Sequence, residues 1–171
     1  MAKPHAESKQ AKQIRDPKLA RKQDVSEEWD QDKLRTIMKN AKRLARADAF
    51  QDAFRQLCRS QGRNIADPLD ADFAGVMMAL EEALSEETGA TRRQNRTRLK
   101  TGAMAARDTL SDVALKPKPS MGFVKLIEFG VADMSAESLV LKYPDRFEGE
   151  VVIAARRRLE EFGFLQPEQA S

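Results

Sequence analysis

Phe73, Val76, Met77, Leu80 and Leu84 stand at i, i+3, i+4, i+7 and i+11. That spacing puts five apolar side chains on one face of a helix, and no strand can present it. The same rhythm runs through Leu34, Ile37, Met38, Ala41, Leu44 and Ala45, shifts phase at RADAF, and resumes at Ala47, Phe50, Phe54, Leu57 and Cys58. Residues 33–61 are therefore one helix with a stutter or two helices divided near Asp48. The one strand-like run, VVIAA, has helical flanks, and no internal repeat is present. The chain is expected to be all-α, a small compact domain of about five to seven helices.

Punctuation residues place the helix ends. Ser26 before Glu27 and Glu28 predicts an N-cap with acids in the first turn. Gly62 is the expected stop, and Asp67 or Asp70 the next cap, with Pro68 suited to a first helical position. The helix over 71–88 is expected to end at Gly89. Asp108 is expected to open a short helix that closes before Pro117. Ser120 opens a second, with Phe123, Leu126 and Ile127 inward and Gly130 as its stop. Ser135 opens a third, followed by Pro144. The last helix, in EVVIAARRRLEEF, turns Val152, Ala155, Leu159 and Phe162 to one side. Gly163 and Phe164 then complete a Schellman ending, with Phe164 against Leu159.

Charge divides the chain further. Residues 1–25 hold seven Lys/Arg and three acids, whereas the remainder holds 23 cations and 24 acids, so the net +3 belongs to the N-terminal segment. That segment is polar, carries Pro4 and Pro17 and has no apolar periodicity, so it reads as a disordered basic arm. A single helical domain over 26–165 and a short tail over 166–171 complete the division. Apolar runs such as FAGVMMAL fall far short of the ~20 residues that span a bilayer. The N-terminus has no apolar core of a secretory signal. One cysteine permits no internal disulfide, and the expected setting is a reducing cytoplasm without membrane contact.

Few chemistries survive this composition. His5 is the only histidine and lies in the arm, so no Ser–His–Asp or Cys–His site and no zinc site can be assembled. Cys58 shares the apolar face of Phe54 and Leu57 and reads as a buried thiol. The phosphate-binding glycine patterns are missing. Asp67, Asp70 and Asp72 lack the spacing of a calcium loop, and helix capping accounts for them. The expectation is a chain with no enzymatic activity, no metal and no cofactor.

The strongest functional signal is TRRQNRTRLK. Residues 66–88 carry seven acids and no cation, while 89–107 carry six cations and no acid. Arg92, Arg93, Arg96, Arg98 and Lys100 are the candidate contacts to nucleic-acid phosphates or to an acidic partner. The structural alternative pairs them with Glu81, Glu82, Glu86 and Glu87, which crowd a helix C-terminus that disfavours anions. Arg156 to Arg158 are expected to pair with Glu160 and Glu161 along their own helix. The 120–144 region has a helix-turn-helix outline, but Ala136, Glu137 and Ser138 stand where a recognition helix needs basic or amide side chains. The sequence thus points to a helical protein-interaction domain, with nucleic-acid binding through the 91–100 segment and the arm as the alternative.

Overall fold

The helical rhythm is realised as seven α-helices in the computed structural model, which describes residues 24–88 and 106–165 and, of residues 86–88, the backbone alone. These are α1 (Gln31–Arg43), α2 (Ala47–Gly62), α3 (Pro68–Thr88), α4 (Ala106–Ala114), α5 (Met121–Glu128), α6 (Ala136–Lys142) and α7 (Gly149–Glu161). Single 3-10 turns occupy Ala132–Met134 and Pro144–Arg146, and no strand occurs among the described residues. Most of the expected arm and the expected tail lie outside the described residues.

Side-chain caps open the helices where short polar residues meet apolar runs. Asp67 Oδ1 accepts from the amides of Leu69 at 2.9 Å and Asp70 at 3.1 Å, with Pro68 as the first helical residue. The Asp70 amide and the other bonds to its carboxylate hold the Asp67 pKa below its ordinary value. Ser120 Oγ accepts from Phe123 N–H and Ser135 Oγ from Ser138 N–H, each at 3.1 Å. Gly130 (φ 70°) and Gly163 (φ 78°) take the left-handed position after α5 and α7. Behind them, Val131 N–H reaches Leu126 O and Phe164 N–H reaches Leu159 O, as a Schellman ending requires.

Three local expectations change. Ser26 does not cap α1; Asp30 does, accepting from Asp32 and Lys33 N–H at 3.0 Å. The intervening residues close a turn through Glu28 N–H to Val25 O, and Gln56 Nε2 donates to Glu28 O. That turn carries Val25 into the core, so packing begins inside the expected arm. Asp108 lies within the first turn of α4 rather than ahead of it. On α7 the buried aliphatic residue is Val151 rather than Val152, and Phe162 is exposed.

The stutter at RADAF resolves into two helices. Ala45 stands at φ 53°, Ala45 N–H bonds to Lys42 O and Arg46 N–H to Ala41 O. This is a Schellman ending built on alanine, whose Cβ makes the left-handed conformation cost about 1–2 kcal/mol.

α3 is the shared wall of the domain. Its Met78, Ala79 and Ala83 pack with Leu34, Phe54 and Leu57 of α1 and α2. Its Leu69, Phe73, Val76 and Met77 pack on the other side with Leu110, Leu139 and Val151 of α4, α6 and α7. The spacing in the sequence marked only the second of these faces, because small Ala79 and Ala83 contribute little to an apolar stripe. Close helix approach depends on glycine. A Cβ on Gly62 would lie 2.3 Å from Ala71 O, so α2 ends against the first turn of α3. Gly62 has no left-handed backbone; its role is this contact.

Two substitutions of opposite sign test these junctions by the midpoint of urea unfolding. Ala45→Gly is expected to add about 1 kcal/mol, the relieved strain less the extra chain entropy of glycine. Gly62→Ala is expected to remove about 1–3 kcal/mol, because the added methyl meets backbone rather than a yielding side chain.

Candidate functional site

Helices α3, α4 and α5 and the start of α6 enclose a cleft of about 280 Å³. Phe73, Val76, Met77 and Leu80 of α3 form its floor, Leu110 and Val113 of α4 one wall, and Phe123 and Leu126 of α5 the other. The first of these comes from the stripe that marked α3 in the sequence. The two walls are the inward faces of helices whose starts and stops are set by Ser120, Gly130 and Pro117. α5 lies close against α3 because Gly122 has no side chain; a Cβ there would stand 2.4 Å from Leu80 Cδ2.

The polar groups around this apolar volume differ in one respect. Ser120 Oγ and Ser135 Oγ both accept capping bonds, and Ser138 Oγ donates to Ala132 O at 2.8 Å. Glu137, 1% exposed, accepts from Arg158 Nη1 at 2.7 Å. Thr109, 5% exposed, has a buried Oγ1 with no hydrogen-bond partner. Leaving a buried hydroxyl unpaired costs about 1–3 kcal/mol.

Arg158 fixes the cleft's outer edge. Besides Glu137, its guanidinium donates to Val113 O at 3.2 Å and to Lys116 O. It therefore caps the C-terminal carbonyls of α4, where a cation complements the helix dipole, and ties α7 to α4 and α6. The expected pairing of the 156–158 arginines along α7 holds for Arg157, which lies 3.8 Å from Glu161. It does not hold for Arg158. This residue falls in register with Val151 and Ala155, so the helix turns it inward, and Glu137 on α6 supplies the charge that burial demands. The sequence contained this signal: Val151, Ala155, Arg158 and Leu159 follow i, i+4, i+7 and i+8.

Met121 and Lys116 line the edge of the cleft, and further apolar and basic side chains are exposed nearby in the chain. Met121 is 64% exposed, and Leu115 and Phe162 are also exposed. Phe162 packs edge-on against Phe123, ring centroids 5.2 Å apart. Lys116 and Lys118 stand exposed between α4 and α5, and no acid interrupts residues 113–127.

None of the described residues among the candidate contacts and charge partners singled out from the sequence lines the cleft. Arg92, Arg93, Arg96, Arg98 and Lys100 lie outside the described residues, as do the side chains of Glu86 and Glu87. Glu81 is buried. Glu82 Oε1 accepts from Arg35 Nε at 3.1 Å and Nη2 at 2.8 Å, so this acid of the block is engaged by α1. Of the three aspartates near Pro68, Asp67 caps α3 and faces Arg146 at 3.3 Å, and Asp72 accepts from Tyr143 OH at 2.7 Å. Sequence reasoning missed Thr109, although it shares the inward face of α4 with Ala106, Leu110 and Val113.

The buried pair carries a sharp expectation. Arg158→Met strands Glu137 and uncaps α4, and is expected to lower unfolding free energy by about 3–5 kcal/mol. Adding Glu137→Leu is expected to restore much of that loss, as read by a double-mutant cycle in urea. Comparison of the chain with known family models, with curated proteins and with solved structures finds no match.

Proposed function

We propose that this is a non-enzymatic helical domain that binds a protein partner by taking an apolar, acid-flanked segment into the cleft between α3, α4 and α5. The observation that carries the reading is the juxtaposition of an apolar cleft with an exposed Met121 and Lys116 at its edge, with the exposed Lys118 two residues on in the same link. Buried apolar anchors inside a polar rim are the usual source of affinity at protein interfaces. Lys116 and Lys118 have no ion-pair partner among the described residues, so an acidic flank would be steered to this edge. A reducing, cytoplasmic setting belongs to the same reading. Cys58 is buried and unbridged, and burial pushes its thiol pKa up, away from nucleophilic use.

Fluorescence anisotropy with defined probes tests it. A labelled helical peptide with leucine anchors and glutamate flanks is expected to bind the full chain, and its lysine-flanked counterpart is not. Met121→Asp, or Lys116→Glu with Lys118→Glu, is expected to weaken the acidic peptide by about tenfold, roughly 1.4 kcal/mol. Equal affinity for both peptides overturns the reading. So does tighter binding of duplex DNA or single-stranded RNA, with a steep salt dependence that Arg92→Ala, Arg93→Ala and Arg96→Ala together flatten.

A further inference from the structure

We infer that the partner taken into the cleft is a second copy of this chain. In a two-fold exchange each copy offers Phe164 and Leu165, which follow its α7, and sets Glu160 against the Lys116 of the other. This inference rests on the protein-binding reading and names its partner.

Exposed apolar side chains are the starting point. Six large ones are exposed among the described residues, and four of them, Leu115, Met121, Phe162 and Phe164, belong to two short segments that the fold brings together. Arg158 of α7 donates to Lys116 O, the residue after Leu115. Phe162, one turn further along, packs on Phe123 of the cleft wall, and Met121 lines the cleft itself. Apolar side chains gathered beside an apolar cleft mark an interaction surface.

Charge selects the occupant. The cleft calls for an apolar segment with an acidic flank, and the chain carries one in EEFGFL, residues 160–165. That segment does not serve its own copy. Gly163 at φ 78° and the bond from Phe164 N–H to Leu159 O fold it back on the end of α7. Phe164 stays 42% exposed, and neither it nor Leu165 lines the cleft. Glu161 faces Arg157, whereas Glu160 and Lys116 each have no ion-pair partner among the described residues. A two-fold axis makes every contact twice, so one Lys116–Glu160 pairing closes both edges of the interface. Opposite charges at the rim then fix the register of the apolar contact.

Analytical ultracentrifugation of the full chain over a concentration series tests it. The wild type is expected to show a reversible monomer–dimer equilibrium that added salt weakens. Phe164→Asp is expected to raise the dimer dissociation constant about tenfold or more. An unchanged urea midpoint for that variant establishes that the fold is retained. A charge swap gives the second reading. Lys116→Glu and Glu160→Lys are each expected to weaken their own dimer, because both rim contacts then set like charges together. Mixing the two variants is expected to restore dimer, since a mixed pair has opposite charges at both contacts. The acid-flanked leucine peptide is expected to dissociate the wild-type dimer by taking the cleft. A chain that stays monomeric, or a dimer indifferent to Phe164→Asp, to the swap or to the peptide, overturns the second copy. Binding of the peptide in those cases leaves the docking cleft in place, and its failure to bind a monomeric chain overturns both.

Discussion

Arg158 and Glu137 are both buried, and their 2.7 Å contact joins helices that the chain itself connects only through loops. Taking two charges out of water costs several kcal/mol each, and the attraction between them returns that cost only in good geometry with further bonds. Here the further bonds are the carbonyls of Val113 and Lys116 at the end of α4. One guanidinium thus neutralises an acid on α6, caps α4 and anchors α7. A hydrophobic pair could fill the same volume but could not specify the angle at which α4 stops. That angle sets the wall formed by Leu110 and Val113, and with it the shape of the cleft.

The second organising element is α3, which is buried on two sides rather than one. Its small residues face α1 and α2, where Gly75 lies 3.3 Å from Cys58 O when a Cβ is built on it. Its large residues face α4, α6 and α7. Polar ties then lock the two halves around it. Arg55 engages Asp133 through Nε at 2.7 Å and Nη2 at 2.8 Å, joining α2 to the turn before α6. Asp72 binds Tyr143, joining α3 to the end of α6. The cleft is what remains where α5, admitted by Gly122, leans over α3 without filling the space beside α4.

This arrangement gives the charged residues different roles from the ones their clustering suggested. Arg156 to Arg158 form one block in the sequence, yet Arg157 pairs with Glu161 on its own helix while Arg158 turns inward to Glu137. Glu82 belongs to an acidic block but is held by Arg35, distant in sequence. Lys116, in a Pro-rich link inconspicuous in composition, lines the cleft beside the exposed Lys118. Clustering along the chain records which charges are near in sequence, whereas pairing depends on which are near in space.

The sequence by itself determined the helical class, the starts at Ser120 and Ser135, a start at Asp67 or Asp70, and the endings at Gly130 and Gly163. Each of these rests on hydrogen bonds between residues a few positions apart, so the residues that make them are adjacent in the text. It also determined the inward face of α3 toward Phe73 and Met77, because period alone fixes a helix face. Only the tertiary structure decided that Ala45 would break the first long helix and that Val25 would enter the core. It alone decided that Arg158, in an inward register the sequence already shows, would find Glu137 as its buried partner, and that Thr109 would be left without one. Those outcomes depend on burial, which sums contributions from helices far apart in the chain. A charge or hydroxyl in an apolar register becomes legible only when the opposite wall is known to supply its partner, as Glu137 does for Arg158, or to withhold one, as at Thr109.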